Sequence, residues 1–252
     1  MLYDNELVTI VMPVYNNGDF AVRAIKSVEA QTYDHWELII VDDCSSDTSL
    51  DMLLEVEGTN SKISVIASAI NLGAGGARNV ALEKGRGRYI AFLDADDYWY
   101  PEKLGKQLCF LNKESLGICH TSYSIIDEDD NILPGGVQAS PLVNLKKYML
   151  TTEIGMSTAV VDRNRTGYFL LDLIRTRQDT KLWLKLLASG NQSCGIAEVL
   201  ASYRVRKGQI SGNKLKMLKK TFDVFWTVEQ LPAYKRCLYF VAYALSAVKK
   251  RM

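Results

Sequence analysis

Between Leu7 and Leu93, short β-branched apolar runs alternate with stretches of helical periodicity, and this alternation constrains the fold more than any other feature of the sequence. The runs at 7–14, 36–41, 63–67 and 89–93 are too short and too branched for helices. Between them Phe20, Ala24, Ile25 and Val28, then Leu50, Leu53, Leu54 and Val56, recur at helical spacing. The pattern predicts an α/β fold: a Rossmann-like, mostly parallel sheet flanked by helices on both faces. In such sheets ligands bind beyond the carboxyl ends of the strands. That rule singles out 13–17, 42–47 and 94–97, all polar or acidic.

Further along, Pro101 opens a helix to about Asn112, and a strand at 116–126 runs into the acidic turn 127–131. Pro134, Gly135, Gly136 and Pro141 mark loops. A helix is expected around 145–150, a strand at 156–161, and a helix at 180–188 that buries Leu182, Trp183, Leu186 and Leu187. Residues 1–212 form the main domain and 213–252 a basic, aromatic C-terminal helical extension. In the extension Lys214, Lys216, Lys219 and Lys220 precede an apolar run at 238–248, which Lys235, Arg236, Lys249, Lys250 and Arg251 bracket. The run is too short to span a bilayer. It suits an amphipathic helix on an anionic membrane face, or a last helix packed on the domain with a solvated basic end.

A net charge of +1 excludes whole-molecule nucleic-acid binding. The five cysteines lack CxxC spacing, so neither a zinc site nor a disulfide framework is expected, and a reducing, cytoplasmic compartment is. Asp4 and Glu6 stand where a signal peptide would be basic.

Four constellations carry chemistry. Asp94-Ala95-Asp96-Asp97 ends an apolar run, and such a density of hard oxygen ligands suits Mn²⁺ or Mg²⁺ shared with substrate phosphates. Asp42-Asp43 ends another run and can accept hydrogen bonds from a base or ribose, while Ser45, Ser46 or Asp47 caps the next helix. Residues 71–79, NLGAGGARN, approach the dinucleotide pattern but carry Arg78 in place of its last glycine, which disfavours hydride transfer. Glycines there let a ligand come close to the backbone, and Arg78 suits phosphate. Asp179, after Arg177-Gln178, reads on residue type as a helix cap or first-turn acid.

VTIVMPVYN (8–16), QTYDHWELIIVDDCSSD (31–47), NLGAGGARN (71–79) and YIAFLDADDYWYPEKL (89–104) together resemble the successive motifs of family-2 glycosyltransferases with the GT-A fold. The match spans about the first 110 residues and continues more weakly through Gln178-Asp179, LWLKL, and Tyr203-Arg204 before Ser211. The resemblance implies that Pro13 and Tyr15 flank the nucleobase, that Asp42, Asp43 and Asn71 belong to the nucleotide site, and that Arg78 lies near base and phosphates. It further implies that Asp94 meets the ribose or the metal, that Asp96 ligates the metal, and that Asp179 is the general base. The family's usual Glu-Asp pair reads Gln178-Asp179 here. The implied reaction is inverting transfer of a hexose or N-acetylhexosamine from a UDP-sugar to a glycan hydroxyl. The implied acceptor is polyprenyl-diphosphate-linked, at the inner face of the cytoplasmic membrane, in O-antigen, capsule or teichuronic-acid synthesis. Residues 120–123 and 156–158 are expected around the donor sugar. A sugar-phosphate nucleotidyltransferase is the alternative enzyme, although 12–19 lack the expected Lys or Arg. A non-catalytic nucleotide-sugar-binding module is the third reading.

Overall fold

A computed structural model describes residues 3–206 and 214–249; Ser211, Lys250 and Arg251 lie outside them, and Lys214, Lys216 and Lys249 are described in backbone only. The first half is a regular succession: β1 (Asp4–Val14), α1 (Gly18–Glu29), β2 (Trp36–Asp42), α2 (Ser49–Glu57), β3 (Ile63–Ala67), α3 (Gly73–Lys84) and β4 (Gly87–Phe92). The second half contains β5 (Tyr98–Trp99), α4 (Lys103–Glu114), β6 (Ile118–Ile126), β7 (Ile132–Val137), β8 (Leu142–Val143) and α5 (Leu145–Thr151). It continues through β9 (Val160–Asp162), α6 (Arg163–Thr166), α7 (Gln178–Ala188), β10 (Ser193–Arg204), α8 (Lys214–Trp226) and α9 (Ala233–Lys249).

One sheet runs in the order β3-β2-β1-β4-β9-β6-β10-β5, with β7 added on β6 and β8 on β10. The long ladders, β3-β2-β1-β4 and β6-β10, are parallel. Short antiparallel strands join and border them, with β9 inserted between β4 and β6. Strand alternation divides the core. Val8, Ile10, Met12 and Val14 of β1 face α1, α2 and α4. Val11, Ile39, Val41, Ile90 and Phe92 face α3, α5 and α7, with the Phe92 ring centroid 6.1 Å from that of Trp183. This two-sided burial is why the strands read as unbroken apolar runs.

Two local expectations change. Residues 156–158 form a 3₁₀ turn, and the strand follows at Val160–Asp162. Pro134, Gly135 and Gly136 lie within β7, which among the described residues pairs with β6 alone, so proline is tolerated at this edge. Gly136 has φ 123°, and a Cβ there would come 2.5 Å from the Tyr123 carbonyl. Helices α8 and α9 cover α5 and α7: Val224 and Phe225 are buried in that cluster, and Tyr239, Phe240 and Tyr243 pack against it.

Because β1, β2 and β4 are parallel and in register, with Val14 opposite Asp42 and Val11 opposite Phe92, their carboxyl ends open along one edge. The segments that follow them meet there.

Candidate active site

A cavity of about 760 Å³ opens at that edge. Pro13 near the end of β1 and Tyr15 just after it, Asp43 after β2, Arg78 of α3, Asp94 and Asp96 after β4, and Asp179 at the start of α7 all line it. Tyr15 leaves 52% of its surface exposed, an apolar face available to a flat ligand.

Two predicted residues do not line it. Asp42 is buried and accepts a hydrogen bond from the Ser45 N–H at 3.0 Å, so it shapes the turn beneath the cavity. Asn71 is a strut: its Nδ2 donates to the Asp43 carbonyl at 3.1 Å and its Oδ1 accepts from Arg175 Nη1 at 2.6 Å. Asp43 in turn accepts from the Leu72 N–H at 2.6 Å. Between Asp42-Asp43 and α2, the loop is held to the end of β1 by Asn16 N–H to Ser45 Oγ at 2.9 Å and Ser46 N–H to Asn16 Oδ1 at 2.8 Å. Asp47 accepts the Ser49 N–H at 3.0 Å at the start of α2, and Thr48 occupies the cap position.

The glycine-rich turn also works differently from the expectation. A Cβ on Gly75 would meet Gln178 Oε1 at 2.5 Å and the Asp172 carbonyl at 3.0 Å, and one on Gly76 would meet Leu72. The glycines thus admit the chain's own 172–178 segment, which carries Asp179 into the cavity. Arg78 is buried, pairs with Asp94, and has Nε and Nη1 without hydrogen-bond partners. A buried guanidinium with unmet donors is costly and suits an anion that supplies acceptors.

The acidic turn is built from below. Ser157 Oγ donates to Asp97 at 2.5 Å and accepts the Asp94 N–H at 3.0 Å, while Trp99 Nε1 donates to the Ser157 carbonyl at 2.7 Å. Burial, reinforced by the charges of Asp94 and Asp96, pushes the Asp97 carboxyl well above its ordinary range. Asp97 also lines the cavity, but its two oxygens are taken by the Ser157 hydroxyl and, at 3.1 Å, by the Arg204 N–H, which leaves Asp94 and Asp96 as the carboxylates for a ligand. Burial and the Asp94 charge raise Asp96 as well, against the pull of Arg206 3.0 Å away. Arg206 also donates to Asn17 Oδ1 at 2.8 Å, and its guanidinium lies 4.8 Å from the Phe20 ring centre. Arg206 stands outside every motif singled out in the sequence. Its signal is the Arg204-Val205-Arg206 alternation, which puts two guanidiniums on the same side of the chain beside Phe20.

Asp179 is a first-turn acid of α7, where the helix dipole favours negative charge. The cap is Arg177, at φ 63°. Asn16 (φ 48°) and Cys44 (φ 62°) share this left-handed conformation, so strained backbone recurs in the segments around the cavity. Of the expected donor-sugar residues, Tyr123, Met156, Ser157 and Thr158 line the cavity. His120 does not. It is fully buried, with Nδ1 2.8 Å from Ser193 Oγ and Nε2 3.5 Å from Glu153 Oε1.

Among the described residues no three His, Cys, Asp or Glu side chains form a protein-only metal site. A magnesium- or manganese-type ion needs only one or two carboxylates when substrate phosphates complete its shell. Asp94 and Asp96 fit that donor set, and each is paired here with a guanidinium that an ion would have to displace.

The carboxyl ends of an α/β sheet thus gather an acidic turn, a carboxylate from another element and an exposed aromatic face around one cavity. The family model for glycosyl transferase family 2 matches residues 9–162, and the chain belongs to that family. It is 42% identical over 246 residues, covering 98% of both chains, to TuaG of Bacillus subtilis (strain 168), a glycosyltransferase assigned to teichuronic acid biosynthesis. It is 35% identical to WfgD of Escherichia coli, a UDP-Glc:alpha-D-GlcNAc-diphosphoundecaprenol beta-1,3-glucosyltransferase, covering 98% of this chain and 96% of that one. Among solved structures, S. aureus TarS 1-349 in complex with UDP-GlcNAc superposes with TM-score 0.72 at 17% identity, covering 94% of this chain and 71% of that one. The mannosyltransferase PcManGT of Pyrobaculum calidifontis, in complex with GDP-Man and Mn2+, gives 0.71 at 17% identity, covering 94% and 69%. These two likenesses establish the GT-A fold. Family membership sets the nucleotidyltransferase and non-catalytic readings aside.

Proposed function

We propose that the chain transfers a hexose or N-acetylhexosamine from a UDP-sugar, with inversion, to a hydroxyl of a polyprenyl-diphosphate-linked glycan during bacterial surface-polysaccharide assembly. The observation that carries this reading is the convergence of Asp43, Asp94, Asp96 and Asp179, from three separate chain segments, on one cavity. The acceptor class follows from what the names of WfgD and its relative WfaP state, both with a UDP-Glc donor and a GlcNAc-diphosphoundecaprenol acceptor.

In this reading Tyr15 and Pro13 offer apolar surface to the uracil ring, and Asp43 accepts from the base. Asp96, with Asp94, holds Mn²⁺ or Mg²⁺; when bound, such an ion stabilises the charge gathering on the departing diphosphate. Arg78 and Arg206 exchange their carboxylate partners for phosphate oxygens, which frees Asp94 and Asp96. Asp179 takes the proton from the acceptor hydroxyl as its oxygen attacks the anomeric carbon opposite the leaving group, so a single displacement inverts that centre. Cavity walls from α7 and the 152–158 segment align donor with acceptor.

A peripheral position on the inner face of the cytoplasmic membrane fits the C-terminal helices. Among the described residues no helix is long and apolar enough to cross a membrane. On α9, Tyr234, Leu238, Val241 and Leu245 form a stripe with exposures of 62%, 63%, 54% and 67%, opposite the residues packed on the core. Lys235 lies beside that stripe, and Lys219 and Lys220 are exposed on α8.

The test is UDP release with the lipid-linked acceptor. Asp179→Asn is expected to lower kcat by about a hundredfold or more while UDP affinity stays near wild type. Near-wild-type turnover by the folded variant removes the base assignment.

A further inference from the structure

A second cavity, of about 410 Å³, lies on the other side of the 174–176 segment from the first and shares Arg175 and Thr176 with it. Its walls are Ile174 and Val224, and its charged groups are Arg175, Lys181 and Lys220 against the single carboxylate of Asp223. Lys181 is 3.3 Å from Asp172. Lys220 is exposed and forms no ion pair among the described residues. Arg175 is fixed between the two cavities by its hydrogen bond to Asn71. The cavity is thus a preformed recess with excess positive charge and apolar sides, and it adjoins the transfer site across Arg175 and Thr176.

Its position is informative. Lys181 follows Asp179 by two residues on α7, about 3 Å of helix rise. On the far side, α8 leads into α9 with its exposed apolar stripe. An acceptor built as sugar, diphosphate and lipid must place its hydroxyl at Asp179, its lipid on the apolar surface and its two phosphates in between.

We propose that this second cavity is the diphosphate subsite for the acceptor, with Lys181, Lys220 and Arg175 as its cationic ligands. The assignment rests on the lipid-linked acceptor reading above. Lysine and arginine suit it because a doubly esterified diphosphate carries its charge on non-bridging oxygens, which point charges and a guanidinium fork both satisfy. Ile174 and Val224 accommodate the first carbons of the lipid.

The test is calorimetric binding to the full chain, pre-loaded with UDP and Mn²⁺, of two probes. One is N-acetylglucosamine joined through a diphosphate to a short prenyl chain; the other carries the same sugar and chain through a phosphate-free ether. Wild type is expected to prefer the diphosphate probe by about tenfold or more. Lys220→Gln and the double variant with Lys181→Gln should abolish that preference while leaving the affinity for the ether probe within about twofold. Lys220 is exposed, so its single variant does not threaten the fold. Equal affinity of wild type for both probes, or a preference that survives in both variants, overturns the proposal. Loss of binding to phosphatidylglycerol vesicles with the diphosphate preference intact assigns the lysines to the membrane surface, and also overturns it. UDP release from UDP-sugars is read separately. Lysine-dependent diphosphate binding without any sugar transfer leaves the subsite standing and removes the proposed reaction.

Discussion

Replacing Arg204 with methionine tests how the acidic turn is held in place. The Arg204 side chain is buried, and its guanidinium donates to the Asp96 carbonyl at 2.8 Å, the Asp127 carbonyl at 2.5 Å and Asp130 Oδ1 at 2.5 Å, over the Phe20 ring. The Asp130 side chain is about half exposed, so that bond is screened and contributes little. The two charge-assisted bonds to carbonyls are worth about 1.5–3 kcal/mol each, and methionine recovers part of the packing, which leaves a net loss of about 3 kcal/mol. With an m-value of about 3 kcal/mol/M in urea, the unfolding midpoint falls by about 1 M. Arg23→Ala is the control: Arg23 pairs with the same Asp130 at 3.3 Å but is half exposed, so its loss costs about 0.5 kcal/mol or less. Equal midpoint shifts for the two variants would refute the reasoning.

Two further predictions concern buried titrating groups. Burial holds Lys103 at about pKa 7, so between about pH 7 and 10.5 the unfolded chain binds a proton that the folded chain lacks, and stability rises with pH across that window. Lys103→Met removes this penalty: its advantage over wild type should be about 2–3 kcal/mol larger at pH 6 than at pH 9, at 1.36 kcal/mol per unit, and a pH-independent difference in urea midpoints counts against it. Burial pushes Glu153 up, but hydrogen bonds from His120, the Ser140 N–H, Thr151 and the Ser140 hydroxyl outweigh it and bring the carboxyl to about 2. Its stabilising effect is therefore complete above about pH 4.3 and fades as pH falls toward 2, so the gap between wild type and Glu153→Gln in a near-UV acid titration should close over that range.

How much the sequence revealed follows from burial. Strands β1 to β4 are covered on both faces, so their apolar runs are unbroken and the polar residues after them stand out as cavity segments. Strand β10 goes unread because Gly195, Glu198 and Ser202 interrupt its pattern, and with it the position of Arg206 goes unread. Asp42 and Asp43 look alike in sequence and are equally buried, and only the turn geometry separates the one that braces the turn from the one that lines the cavity. The glycines of 73–76 suggest room for a ligand, whereas the room is filled by a segment a hundred residues further on, Gln178 and Asp172 at Gly75 among it. His120 and Tyr123 share strand β6, yet one is sealed against Ser193 and Glu153 while the other reaches the cavity. Such long-range contacts leave no local trace.

The most direct measurement is the affinity for UDP with and without Mn²⁺, in wild type and Asp96→Asn. If Asp96 and a bound diphosphate share a divalent ion, Mn²⁺ tightens UDP binding to wild type by about tenfold or more, and the substitution removes that linkage while UDP still binds weakly. UDP affinity that is unchanged by chelation in wild type, or a Mn²⁺ effect that persists without the Asp96 carboxylate, would contradict it.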